Sequence, residues 1–420
     1  MFGLAIAYLR DRALTTALNV LLLAIAVATL VLLLQFSTQV TERFERDAKG
    51  IDLVVGAKGS PLQLILSSIY QIDQPTGNIP LDSVDLLRRD PAVARAIPLA
   101  LGDNFRGFRI VGTEAEYLEI YNAKLAQGRI NRAEAEVVMG ASVARNTGAK
   151  LGQKFLGSHG LGKEEEGHEH EAHPFTTVGI LAPTGTVIDR LILTSVESVW
   201  EVHGIEHNDE QGKAHDHAAG EAHHDHDEPV VLDERGELKP EVTALLVTYA
   251  NASGAIRIPG MINRQTGMQS AVPAVETARL LNLFGSAIDG ARLFGWLLAI
   301  TGGLSIFVAL LGVARAREGD MALLRVMGAM RATVFGTVLL EGILIASAGV
   351  IAGVVLGHTM LALAAALFPT LADLGLQAWV FHPGEALIAL AVLAVGVVAA
   401  LTPAIKVFRV DLARTLARAS

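Results

Sequence analysis

Four stretches of this chain are too long and too apolar for the core of a soluble domain, and they constrain everything else. They run approximately over Ala17–Phe36, Leu293–Val313, Val334–Leu356 and Ala386–Leu401. A helix needs about 20 residues to cross a hydrocarbon core of about 30 Å. Three runs reach that length, and the fourth is the shortest. With 51% of its 420 residues hydrophobic and a mean hydropathy of +0.42, the chain is predicted to span a membrane four times. The first run is longer than the roughly 7–15 residues of a secretory signal, and "QFSTQVTERF" after it is a poor small-residue cleavage site. It reads as a retained anchor.

Lys and Arg beside the spans set the expected orientation. Arg10 and Arg12 precede the first span. Arg315, Arg317, Arg325 and Arg331 lie between the second and third, and Lys406, Arg409, Arg414 and Arg418 follow the fourth. Residues 357–385 contain neither Lys nor Arg. Both termini and the 314–333 loop are therefore expected in the cytoplasm, with residues 37–292 outside. The domains expected are 1–36 (an N-terminal amphipathic segment and first span), 37–292 (extracytoplasmic) and 293–420 (three spans).

The extracytoplasmic segment is of mixed character. "STQVTERFERDAKG" is polar and suits a helix, and Val275, Ala278, Leu281, Phe284 and Ile288 recur at helical spacing before the second span. Two helices rising from the bilayer as a stalk are expected. Between them "FRGFRIVGTE", "EAEVVMG", "FTTVGILA" and "ALLVTYA" are short strand-like runs bounded by turn residues, and "ASVARNTGA" reads as a short helix. The fold class is an α-helical membrane protein with four transmembrane helices and a large α+β domain, on a helical stalk, between spans one and two.

Two inserts interrupt this pattern. "HGLGKEEEGHEHEAH" (159–173) and "HGIEHNDEQGKAHDHAAGEAHHDHDE" (203–228) carry most of the histidines and no apolar period. His168, His170, His173, His215, His217, His223, His224 and His226 are candidate ligands for Zn²⁺ or Cu²⁺. Their spacing lacks the H-E-x-x-H register of a catalytic zinc helix, so weak multi-site capture stands beside a merely solvated insert. "GSHGLGKE" (157–164) mimics a phosphate-binding loop but ends in Glu where Ser or Thr must hold Mg²⁺. No ATPase site of the chain's own is expected, and hence no enzyme. The chain has no cysteine, and its net charge of −9 argues against nucleic acid.

The loop before the third span carries the most specific signal. Met321, Leu323, Leu324 and Met327 form an apolar stripe, with Arg317, Glu318, Arg325 and Arg331 making up the charged remainder. Gly328 can end or bend the helix. Such a helix suits a groove on another protein or a lipid surface, and pattern alone leaves both open. Glu341 is the one clear ionisable residue inside a span, either functional or snorkelling. Gly349, Gly353 and Gly357, four apart, suit close helix packing.

The run "RAREGDMALLRVMGAMRATVFGTVLLEGILIASAGVIAGVVLG" resembles the signature of the FtsX-like, macrolide-exporter-type (MacB-like) ABC permeases, which include lipoprotein-release and cell-division systems. "GRINRAEAEVVMGASVA", "LGQKF" and "FTTVGILAPTGTVID" are similar to the family's external core domain. The resemblance implies a bacterial inner-membrane permease subunit that dimerises and sits on a separate dimeric ATPase holding ATP and Mg²⁺. It assigns Arg317, Glu318, Leu323, Leu324, Arg325, Met327, Gly328 and Arg331 to a coupling helix over 317–331. ATP-driven motion would pass through the stalk to a periplasmic substrate, protein or lipoprotein. The alternative within the family is a signalling subunit that transports nothing and activates a periplasmic hydrolase.

Overall fold

The computed structural model describes residues 2–159, 174–202, 240–316, 326–328, 330–368 and 375–408. The chain divides into two compact units, Arg43–Leu281 and the pair Met1–Glu42 with Asn282–Ser420.

A short helix α1 (Phe2–Asp11) precedes α2 (Ala13–Asp47). The chain then builds β1 (Leu53–Ala57), α3 (Pro61–Ser68), β2 (Ile79–Pro80), α4 (Asp82–Arg88), β3 (Val93–Phe105), β4 (Phe108–Thr113) and α5 (Glu116–Ile120). Next come β5 (Leu125–Gly128), β6 (Glu136–Met139), α6 (Ala141–Thr147), β7 (Lys154–Phe155) and β8 (Ser158–His159). β9 (Phe175–Leu181), β10 (Ile192–Thr194), α7 (Val196–Val202), β11 (Glu241–Val242), β12 (Ala244–Tyr249), α8 (Ala252–Gln265) and β13 (Met268–Ala271) complete the middle unit. Three long helices follow: α9 (Pro273–Ala316), α10 (Arg331–Leu367) and α11 (Pro383–Phe408).

The middle unit is an α+β domain around an 11-stranded sheet in the order β13-β1-β12-β3-β4-β10-β6-β9-β5, with β7 beside β9 and β8 beside β3. Most pairs among the described residues are antiparallel, while β4–β10 and β6–β9 run parallel. Alternation along the strands splits the core in two. Val54, Ile97, Leu99 and Leu246 face Leu64, Ile65, Tyr117 and Tyr121 on one side. Leu53, Val55, Ala96, Leu245 and Val247 face Val84, Leu87, Trp200, Ile258 and Ile262 on the other. Truncating one such Leu to Ala costs about 2–5 kcal/mol. The free edge at β13 is blunted, since Ser270 N–H donates to Asn263 Oδ1 (2.7 Å) and Met268 N–H to Thr266 Oγ1 (3.1 Å).

Among the described residues, four helices are long and apolar enough to cross a membrane: Ala13–Asp47, Pro273–Gly312, Ala332–Leu367 and Pro383–Lys406. They contribute Leu23, Val27 and Val31, then Ala299, Ile306 and Leu310, then Ile345 and Ala346, then Val392 and Ala400, to one apolar core. Buried Asn19 is satisfied by Ser305, whose hydroxyl donates to Asn19 Oδ1 at 2.6 Å. Outward-facing Leu297, Ile300, Leu304, Ile351, Leu363, Leu387 and Val398 are exposed, as lipid-facing positions require. At 1.5 Å per residue, α2 (35 residues) and α9 (44 residues) are about 52 and 66 Å long, well beyond the hydrocarbon thickness. The excess is the helical stalk.

The helix expected from the spacing of Val275, Ala278, Leu281, Phe284 and Ile288 is present as the start of α9. Val275, Ala278 and Phe284 are exposed, whereas Glu276 and Thr277 are buried. The helix start is oriented by polar contacts: Tyr70 and Thr277 share a hydroxyl hydrogen bond of 2.6 Å, and Glu276 sits in the first turn, where the helix dipole favours an acid.

Candidate functional site

Arg317, Glu318, Leu323, Leu324 and Arg325 lie outside the described residues, as do the candidate ligands His168, His170, His173, His215, His217, His223, His224 and His226. What is described of the loop before the third span is its end. Val326, Met327 and Met330 are 63%, 69% and 75% exposed. Gly328 adopts a φ of 101°, a conformation open to glycine and strained for other residues. Met330 is extended, and α10 starts at Arg331.

Within α10, Glu341 is almost completely buried. Its neighbour Gly342 lies against the last span, where an added Cβ would fall 2.3 Å from Ala400 Cβ. Gly349, Gly353 and Gly357 follow one row along α2. A Cβ at Gly349 would lie 2.7 Å from Leu23 Cβ, one at Gly353 2.5 Å from Val27 Cβ and 2.8 Å from Ala24 O, and one at Gly357 3.2 Å from Ala28 O.

One polar cluster was not singled out from the sequence. His358 near the end of α10, Glu385 at the start of α11 and Gln35 of α2 are all buried. His358 Nε2 lies 2.9 Å from Glu385 Oε2, and its Nδ1 faces Ala378 O. A carbonyl only accepts, so the ring nitrogen facing Ala378 O is the donor there. Gln35 donates to Glu385 Oε1 and to Val380 O (2.6 Å), and Gln39 donates to Gln35 Oε1 (2.8 Å). The available signal was Gln35 and Gln39 one turn apart, facing a Lys- and Arg-free loop flanked by His358 and Glu385.

In the α+β domain the structure accounts for "GRINRAEAEVVMG". Gly128, at a φ of 76°, passes so close to β9 that a Cβ would sit 2.2 Å from Val178 O. Arg129 grips Glu136 with both terminal nitrogens, and Arg132 N–H adds a bond of 2.9 Å. Those bonds, the Arg129 pair first, hold the Glu136 carboxyl down at about 2. Gly140 leaves no room for a Cβ, which would fall 2.4 Å from the carbonyl oxygens of Ile188 and Asp189. Asp189 in turn accepts from Thr184 N–H and Gly185 N–H, shaping the "PTGT" turn. At the end of α2, buried Asp47 accepts from Val187 N–H (2.7 Å) and pairs with Arg43 (3.0 Å). Burial raises its carboxyl above the ordinary range, against the pull of Arg43.

Gly157 precedes β8, and the Lys163 that would complete the phosphate-loop mimic lies outside the described residues. Among the described residues no three His, Cys, Asp or Glu side chains gather as a metal site.

Residues 16–217 match the MacB-like periplasmic core domain family, and residues 292–412 match the FtsX-like permease C-terminal family. The solved periplasmic region of MacB from Actinobacillus actinomycetemcomitans is 11% identical, with a TM-score of 0.34, over 56% of this chain and 96% of that one. The extracellular domain of the noncanonic ABC-type transporter YknZ from Gram-positive bacteria is 11% identical, with a TM-score of 0.29, over 52% of this chain and 98% of that one. No curated protein matches the chain. Permeases of this kind are transporter subunits rather than enzymes and work with a cytoplasmic ABC ATPase. Two family matches in that order, around four apolar helices, show that the chain belongs to the MacB/FtsX-like ABC permeases.

Proposed function

We propose that the chain is a permease subunit of the mechanotransmission type. Two copies would sit on a separate ATPase dimer, with 317–331 as the coupling helix that ATP-driven closure moves. The termini and 314–333 lie in the cytoplasm, 37–292 in the periplasm, and α2 and α9 carry the motion outward to a substrate or periplasmic protein. Gly349, Gly353 and Gly357 serve helix packing, Glu341 is a functional acid within the third span, and the histidine inserts capture Zn²⁺ or Cu²⁺ weakly. The observation that carries this reading is the exposed apolar ridge of Val326, Met327 and Met330 beside the left-handed Gly328. Three large apolar side chains at a loop suit a groove on a partner.

The test is Leu324→Asp, which places an unpaired charge in an apolar groove. The variant is expected to reach the membrane but to lose the ATPase on co-purification. Unchanged recovery of the ATPase would mean that the helix rests on lipid headgroups instead.

A further inference from the structure

The segment joining spans three and four shows two features that do not fit a loop in water. Trp379, Val380 and Phe381 are consecutive, large and apolar, yet 61%, 48% and 68% exposed. Beneath them, main-chain groups of Gln377, Ala378, Val380 and His382 are met by side chains. Gln39 Oε1 accepts from Gln377 N–H (2.7 Å), and its Nε2 donates to Gln377 O (3.1 Å). His358 serves Ala378 O, Gln35 serves Val380 O, and Glu385 Oε1 accepts from His382 N–H (3.0 Å). Water would solvate these groups without ordering three helices' worth of glutamine, histidine and glutamate. Side-chain satisfaction of a non-helical backbone is what hydrocarbon depth demands.

We infer that Trp379–Phe381 is an aromatic ridge built to lie in the lipid headgroup–acyl boundary, held there by the Gln35–Gln39–His358–Glu385 network. Trp379 stacks on the buried His358 ring (5.7 Å between centroids, 11° between planes), and Phe381 packs against it at 4.7 Å. Both rings thus rest against His358 while staying largely exposed. The absence of Lys and Arg over 357–385 suits immersion, and aromatic rings collect at membrane interfaces. The ridge also lies between the end of α10 at Leu367 and the start of α11 at Pro383, at a span terminus. Which leaflet it occupies rests on the orientation proposed above.

The full chain has three tryptophans and no cysteine, which permits a direct test. Wild type and Trp379→Phe are reconstituted into phosphatidylcholine vesicles brominated either near the headgroup or near the acyl ends. The expected result is an emission component quenched by shallow bromines and lost in Trp379→Phe. Equal shallow quenching of the two proteins overturns the inference. So does quenching of the Trp379 component by aqueous iodide, which means exposure to water, or shielding from both quenchers, which means cover by a second copy or a bound amphiphile. Gln35→Leu, which removes the donor to Val380 O, is expected to red-shift Trp379 and raise iodide access. An unchanged signal would overturn the role given to the network. Gln377→Cys, labelled by an impermeant thiol reagent, reports the leaflet separately. Labelling from the cytoplasmic side would overturn the proposed orientation and leave the bromine result standing.

Discussion

Gly353→Ala adds a single methyl group where α10 and α2 come closest. That Cβ would lie 2.5 Å from Val27 Cβ and 2.8 Å from Ala24 O. Ordinary carbon contacts need about 3.5–4.0 Å, so the helices must part by about 1 Å. The carbonyl belongs to helical backbone, which gives less readily than a side-chain tip. Overpacking of this kind costs about 1–3 kcal/mol. Gly312 on α9 is the internal control, because an added Cβ there meets nothing within 4 Å. Gly312→Ala gains up to about 1 kcal/mol from helix propensity alone. Gly349→Ala, at 2.7 Å from a side-chain carbon, is expected to be intermediate, and Gly357→Ala, at 3.2 Å, the mildest of the row. The assay is the fraction of detergent-solubilised protein that stays monodisperse after graded heating, a kinetic measure suited to irreversible unfolding. Gly353→Ala is expected to fail at the lowest temperature and Gly312→Ala at or above wild type. If Gly353→Ala and Gly312→Ala behave alike, the row does not set the approach of these spans and the packing assignment falls.

Two further predictions concern the domain between the first two spans. Because Glu136 is held at about 2 against an ordinary 4.5, its contribution to stability is complete above pH 4.5 and disappears as pH falls toward 2. Glu136→Gln is therefore expected to destabilise the domain at neutral pH and to flatten this part of the acid limb in a thermal-unfolding series; an unaltered limb would mean that the Arg129 pair contributes nothing. Calorimetric Zn²⁺ titration is expected to show several weak sites that fade as pH falls through about 6.5, where imidazole protonates. Deleting 159–173 and 203–228 is expected to remove them without unfolding the chain; equal uptake by the deleted protein would make the inserts solvated loops only.

The spans were legible because their signal is additive: twenty apolar residues outweigh any local ambiguity. The strands β4, β6, β9 and β12 were legible for a related reason, as β-branched runs bounded by turn residues. Contacts made between distant segments were not. Nothing local to Gly140 announces that the carbonyl oxygens of Ile188 and Asp189 fill its Cβ position. The His358–Glu385–Gln35 cluster joins residues up to 350 apart in sequence, and each alone reads as an ordinary polar residue at a span end.

The central claim is that nucleotide binding by a cytoplasmic ATPase moves the extracytoplasmic domain. Spin labels at Arg89→Cys, a side chain 84% exposed on that domain, report the separation between two copies in a chain with no other cysteine. In nanodiscs holding the permease with its ATPase, the distance distribution is expected to differ between ATP-trapped and nucleotide-free states, and Leu324→Asp is expected to abolish that difference. Identical distributions in the two states, with the ATPase bound and hydrolysing, would contradict the account.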